Sequence, residues 1–362
     1  MADREITHHE FVACGVALAL GSVLQMGIAS SLLGNEAWIA VALGWILFAP
    51  CIGIYGALAK KRPSQSYFSM LTDAFGKYIG KTIAFIYLIF FSIVMGLNVY
   101  QTSVMINTLY IMRSPTFAIA CLFLLCSAYA SFKGVASYAR AIVLPAIIAS
   151  ASVITIFFVV IAVGRPEFLL PVFQRSANAY LSASLASFTV AYGDSFIMMM
   201  FLPYIAKKIN ISKAFFDISI YIFALLLIIS IREILMLGPV LEYFDNPTFE
   251  TLKAISIGGQ PARLESLFIV IYNTMSFIKD GLFFIGILYG FAEVFEIKAK
   301  SRFAFSLALL LAVFSSTIDE GYERIGYYSV NTAPALWAFM YVALPFLLLL
   351  MPIKKQKAET SA

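Results

Sequence analysis

Two ionisable side chains stand in stretches that are otherwise apolar, and any chemistry this chain does starts with them. Asp194 lies inside Phe188-Thr-Val-Ala-Tyr-Gly-Asp-Ser-Phe-Ile-Met-Met-Met-Phe-Leu-Pro-Tyr204, a segment otherwise fit to cross a bilayer. A carboxylate at that depth costs about 3 kcal/mol or more unless it faces protein, water or a ligand. The run Tyr192-Gly193-Asp194 predicts a break in the helix, and non-helical backbone is tolerated there only where it lines a cavity. The segment is therefore read first as a binding site. Asp194 has three open roles: contact with a ligand ammonium, carriage of a coupling proton, or a buried ion pair.

The second ionisable group is Lys279, in Tyr272-Asn273-Thr274-Met275-Ser276-Phe-Ile-Lys279-Asp280. Tyr272, Ser276 and Lys279 stand at i, i+4 and i+7, hence on one helix face. Lys279 is near mid-span, too deep to snorkel to an interface. It either acts as a fixed charge in place of a bound sodium, carries a proton, or makes a salt bridge with Asp194 or another acid. Asp280 points about 100° away and is not its natural partner.

A third stretch, Gly21-Ser22-Val-Leu-Gln25-Met-Gly27-Ile-Ala-Ser30-Ser31, interrupts the first apolar segment with two glycines and several polar groups. Interrupted helices leave N–H and C=O groups unpaired, which suits the carboxylate and ammonium of an amino acid. The same residue types also suit close helix packing. Asn98, Gln101 and Thr102 share a face at i, i+3 and i+4, where they line a cavity or join helices. The expected site is an amino-acid-sized cavity between the two breaks. Its expected ligand contacts come from Gly21, Ser22 and Gln25, from Asn98 and Gln101, from Thr189, Tyr192, Gly193 and Asp194, and from Tyr272 and Ser276. Lys279 and Asp194 are the candidates for ion substitution or proton coupling.

The elements that must position these groups follow from composition. Of 362 residues 61% are hydrophobic and 12% charged, and the mean hydropathy is +0.90. Those values belong to an all-α polytopic membrane protein. Most segments are apolar all round, without the amphipathic stripe of soluble helices or the short alternation of a β-barrel. Ten spans are expected, near 10–33, 37–59, 82–110, 116–131, 139–163, 181–206, 211–237, 264–294, 303–318 and 330–353. Spans three and eight are the longest, four and nine the shortest. That rhythm predicts one transmembrane domain of two five-span halves, 10–163 and 180–353. An odd number per half inverts the second relative to the first, the 5+5 inverted repeat of transporters, with helices one and six broken.

With the amino terminus inside, seventeen Lys and Arg fall on the cytoplasmic side. Only Arg113, Arg165, Arg175, Lys253, Arg263 and Arg324 remain outside, so both termini are expected in the cytoplasm. The first span is expected to stay in the membrane rather than be cleaved as a signal peptide. The net charge of +5 comes from loop lysines at one membrane face, which argues against nucleic-acid binding. The largest outer loops, 238–263 and 319–331, are too small for a soluble domain, which argues against an enzyme. Cys14, Cys51, Cys121 and Cys126 read as small hydrophobes, and His8 and His9 as a solvated tail, so no metal or cofactor is expected. Arg232-Glu233 reads as an interfacial pair at the end of span seven.

Several blocks carry a resemblance: Asn35-Glu36-Ala37-Trp38-Ile39, Tyr192-Gly193-Asp194 through Pro203-Tyr204, Arg232-Glu-Ile-Leu-Met-Leu-Gly238-Pro239, and the stretch from Ile255 through Arg263 and Glu265 to Phe277-Ile-Lys279. In length, span count and motif order the chain resembles the B-subunit permeases of spore germinant receptors (GerAB-type), within the amino acid–polyamine–organocation superfamily. Two departures stand out. Asp194 replaces the family's usual Glu, and the first span lacks the usual Leu-Pro after its glycines. The resemblance implies a LeuT/APC-like fold and a ligand sensor in the inner membrane of a dormant spore. It implies a small germinant, commonly an amino acid, and two partners, an A-type membrane subunit and a C-type lipoprotein. In transporters of that fold the eighth helix passes beside the first near a cation position, so Lys279 is expected to point at the first-span break in place of sodium. The competing reading is a secondary amino-acid transporter, proton-coupled through Asp194 or Lys279. A channel is weaker, because no charged ring or repeated pore motif exists.

Overall fold

The computed structural model describes residues 5–26, 28–109, 114–244, 246–257, 260–297, 300–318 and 333–352. The expected outer loop at 319–331, and Gly27 in the first span, lie outside the described residues. Helices occupy each of the ten expected segments. Helix α1 (His8–Met26) and α2 (Ile28–Leu33) lead into α3 (Ala37–Lys61) and the short α4 (Tyr67–Phe75). Next come α5 (Lys77–Leu109), α6 (Thr116–Ser131), α7 (Val135–Val163) and α8 (Ala177–Ser187). The remainder is α9 (Ile211–Leu237), the short α10 (Pro247–Ala254), α11 (Glu265–Val294), α12 (Lys300–Ser316), α13 (Ala333–Ala338) and α14 (Leu344–Leu350). A two-residue antiparallel pair, Ser256–Ile257 with Gln260–Pro261, is the β-structure among the described residues. Among the described residues seven helical segments are long and apolar enough to cross a membrane, and α6 and α12 are shorter apolar helices. Large side chains such as Ile46, Leu122, Leu144, Phe158 and Leu310 face outward more than half exposed. That surface suits lipid and not water.

The sixth-span break takes a different form from the expected unwound turn. The sixth span stays wound but changes pitch: α8 passes into a π-helix at Phe188–Tyr192 and then into a 3-10 helix at Gly193–Tyr204. The Gly193 N–H bonds the Phe188 carbonyl, closing the wide turn. The backbone thereby keeps its hydrogen bonds, as a lipid environment demands. In the first span α1 runs unbroken through Gly21 to Met26 and α2 resumes at Ile28, with Gly27 outside the described residues.

Polar caps start several helices, Ser66 for α4, Ser176 for α8 and Asn210 for α9, each accepting from a backbone N–H three residues on. Helix α1 packs along α7, α9 and α11, while α3 packs on α8 and α9 and α5 on α11. At the face carrying Lys61, Lys77 and Lys81, Lys61 Nζ donates to the Leu349 and Met351 carbonyls at 2.7 Å, capping the last helix. The Ser66 hydroxyl donates to Glu293 at 2.6 Å. Lys81, with Lys77, holds the exposed Glu296 carboxyl below the usual carboxylate range. Ile6 exchanges backbone bonds with Tyr204 (2.8 Å) and Ala206 (3.1 Å), tying the amino-terminal segment to the end of span six. His8 is therefore not a solvated tail: it opens α1, and its Nε2 lies 2.8 Å from Asp217 Oδ2.

At the opposite face, Glu36 is buried and accepts from the Phe173 N–H (2.9 Å), the Gln174 N–H (2.8 Å) and the Tyr180 hydroxyl. Asn35 Nδ2 donates to the Pro171 carbonyl at 2.8 Å. This motif fastens the connector between spans five and six to the start of α3. Glu36→Gln exchanges an acceptor-only group for one with donors facing two N–H groups. It is expected to cost about 1–3 kcal/mol and to expose residues 165–176 to protease. A cleavage pattern and melting temperature equal to wild type would count against the staple.

Candidate ligand-binding site

Gly21 sets the geometry at the centre. A Cβ there would lie 2.7 Å from the Met275 carbonyl oxygen and 2.9 Å from Lys279 Cβ, so only glycine lets α1 run this close to α11. Gly21 is thus the residue through which α1 packs on α11. The close approach brings Ser22 against Lys279. Lys279 Nζ donates to Ser22 Oγ and lies 2.7 Å from Asp194 Oδ2. Ser22 Oγ is in turn 3.2 Å from both the Leu18 carbonyl and Asp194 Oδ2. From the last span the Tyr341 hydroxyl donates to Asp194 Oδ1 at 2.8 Å. Spans one, six, eight and ten therefore meet on one carboxylate.

Of the roles left open for Lys279 and Asp194, the geometry displays the ion pair, with the side chains 4% and 1% exposed. Each charge supplies what the other needs away from water. The amine does reach the first span, but at the Ser22 side chain, inward of Gly27. Phe283 adds a ring 5.8 Å from the ammonium.

Beside the pair lies a cavity of about 20 Å³ lined by Ser22, Val94, Leu97, Asn98, Gln101, Val190, Asp194, Lys279 and Trp337. That volume holds one water. Val94 and Leu97 of α5 and Trp337 of the last span form its apolar wall. The structure gathers Ser22, Asn98, Gln101, Asp194 and Lys279, all named from the sequence. Val94, Leu97, Val190 and Trp337 had no signal, being apolar residues within apolar spans.

The other expected contacts do different work. Tyr272 and Ser276 meet Thr102 Oγ1 at 2.9 and 2.6 Å, and Asn98 Nδ2 donates to Ser276 Oγ at 3.1 Å and Asp280 Oδ1 at 2.7 Å. This network joins α5 to α11, so Asn98 both lines the cavity and binds the helices together. Asp280, turned from Lys279, finds its partner in Asn98, while its Oδ2 has none. Thr189 Oγ1 donates back to the Leu185 carbonyl at 2.8 Å. Tyr192 stacks on Phe48 and donates to the Val41 carbonyl at 3.3 Å. Tyr192 thus faces α3, whereas Asp194 lines the cavity. Gly193 accommodates the Tyr341 ring, whose nearest atoms would lie 2.5 Å from a Cβ there. The Gln25 side chain lies outside the described residues. Arg232 and Glu233 are buried within the protein, 1% and 3% exposed. Among the described residues no three His, Cys, Asp or Glu side chains gather into a metal site.

The fold is that of membrane transporters. A nucleobase-cation-symport-1 family transporter, MHP1, solved closed with bromovinylhydantoin, superposes with a TM-score of 0.66 at 12% identity, covering 96% of this chain and 78% of that one. A Na+-coupled sialic acid symporter matches with a TM-score of 0.59 at 13% identity, covering 94% and 79%. In sequence the chain is 24% identical over 355 residues to spore germination protein KB of Bacillus subtilis (strain 168), covering 96% of this chain and 93% of the relative. Spore germination protein YndE of the same strain is 21% identical over 330 residues, covering 90% and 89%. These relatives are germination proteins and the structural likenesses are transporters, in keeping with a multi-pass membrane protein that is not an enzyme. The family model described as spore germination protein matches residues 6–322, from ahead of α1 to beyond α12, and the chain belongs to that family.

Proposed function

We propose that this chain is the membrane subunit of a spore germinant receptor, binding a small germinant, an amino acid in our reading, between spans one and six. The observation that carries the proposal is the Ser22–Lys279–Asp194–Tyr341 junction beside a small cavity. One buried ion pair holds four spans together, so a ligand that engages either charge favours a different arrangement of those spans. A ligand shifts such an equilibrium only through differential affinity for the two states, and competition for a buried charge supplies it. In this reading the ten helical segments form the 5+5 inverted repeat, 10–163 and 180–353. Both termini are cytoplasmic in the spore inner membrane, and an A-type membrane subunit and a C-type lipoprotein carry the signal onward. No cofactor is needed.

The fold likeness to symporters supports a second reading, a proton-coupled amino-acid transporter in which Lys279 and Asp194 exchange a proton. Thermal unfolding of the purified chain in detergent against the twenty L-amino acids tests the shared part. At least one is expected to stabilise it, by about 2.7 kcal/mol at a hundredfold excess over Kd. Stabilisation by none of them sinks the amino-acid reading. Uptake of the stabilising amino acid into proteoliposomes selects the transporter, and co-purification with A- and C-type subunits without uptake selects the receptor.

A further inference from the structure

The Lys279–Asp194 pair is charge-compensated and hydrogen-bonded, but a second buried cation is not. Arg232 on α9 is 1% exposed, and its Nε and Nη2 have no hydrogen-bond partner among the described residues. Glu233 approaches Nη2 only to 3.8 Å, beyond hydrogen-bonding distance. Its carboxylate is engaged elsewhere: Oε2 accepts from Ser30 of α2 at 3.4 Å, and Oε1 accepts from Thr248 of α10. Glu233 therefore offsets the charge of Arg232 and leaves the guanidinium edge unmatched.

The identity of the two atoms is informative. Nε–H and one Nη2–H form the side-on edge of the guanidinium, two parallel donors spaced for the two oxygens of a carboxylate. A buried arginine in a membrane protein is costly without an anion or a full set of acceptors, and such groups mark binding sites and pathways by default. Glu233 places the edge between α10 and the first span: its Oε1, the oxygen nearer Nη2, is held by Thr248 of α10, and its Oε2 by Ser30 of α2, three residues beyond Gly27 in sequence. Ser22 and the ion pair lie on the other side of Gly27.

We propose that the side-on edge of Arg232 receives the carboxylate of the small-molecule ligand. The inference rests on the ligand-binding reading above and narrows it: the ligand is an acid, read by two parallel hydrogen bonds at α9 beside α2. Lysine cannot replace that edge, because an ammonium is a point charge without the paired donors.

The test compares acid with amide. Each of the twenty L-amino acids and its carboxamide is titrated against the purified full chain in detergent, with thermal unfolding as the readout. Wild type is expected to bind at least one acid roughly ten- to hundredfold more tightly than its amide, the range for a charge-assisted bidentate contact. Arg232→Gln is expected to bring that ratio to about one and Arg232→Lys to leave a few-fold preference, both with the ligand-free protein still folded. If Arg232→Gln does not fold, the wild-type acid-to-amide ratio and Arg232→Lys still decide. A structural Arg232–Glu233 pair predicts a destabilised ligand-free protein with the acid preference intact, which overturns the inference. So does an edge occupied only by water, which predicts equal binding of acid and amide by wild type. Stabilisation by inorganic phosphate or short-chain phosphatidylglycerol and by no carboxylate also overturns it. A chain that responds to uncharged compounds alone overturns this inference and leaves the receptor reading standing.

Discussion

Lys279→Met is expected to abolish the ligand response and to destabilise the chain by about 3–5 kcal/mol, because it leaves the Asp194 carboxylate buried without its cation. Asp194→Asn leaves the ammonium with neutral acceptors, an amide oxygen and Ser22, but no counter-charge, and is expected to be similarly severe. The double substitution removes both charges, and methionine retains most of the lysine stem's volume. It is expected to recover most of the stability, since a buried pair exchanged as a unit is often neutral. Ligand-induced stabilisation is not expected to return with it, because the proposed trigger is competition for one of the two charges. Melting temperatures of the four proteins in detergent, with and without ligand, separate these effects. Additive losses in the double variant would show that the charges act independently, and a double variant that still responds to ligand would refute the trigger.

Gly21→Val is expected to cost about 2–3 kcal/mol and to lose the ligand response as well. The obstacle to a side chain is the Met275 backbone carbonyl at 2.7 Å, which cannot rotate away, so α1 must move off α11. That movement separates Ser22 from Lys279. Gly53→Ala is the matched control, since a Cβ there meets nothing within 4 Å, and it is expected to change little beyond a gain in helix propensity. Thermal unfolding of both variants checks the contrast. Equal melting temperatures for Gly21→Val and wild type would return Gly21 to its alternative role as a backbone contact for ligand.

Much of this architecture was legible in the sequence because its strongest signal is local. Apolar runs of bilayer length fix where helices lie, and α6 (Thr116–Ser131) and α9 (Ile211–Leu237) fall on the bounds expected of them. The breaks were less legible. Glycine beside aspartate in an apolar span reads as an unwound turn, yet the chain satisfies its backbone by passing through π and 3-10 pitch at Phe188–Tyr204. Composition cannot distinguish the two, because both use the same residues and differ only in which carbonyl each N–H reaches.

By itself the sequence determined that Asp194 and Lys279 must be compensated, since neither charge persists alone at that depth. It also determined that Asn98 shares a face with Gln101, and Ser276 with Lys279, since helical periodicity places them there. Only the tertiary structure decided that the two charges compensate each other across 85 residues of chain, with Ser22 between them and Tyr341 behind. It alone buried Arg232 and drew Trp337 into the wall of a cavity of about 20 Å³. The reason is physical. Periodicity fixes which side chains share a helix face, but which faces meet is settled by close packing between helices distant in sequence, and there a single missing Cβ at Gly21 decides how near two spans come.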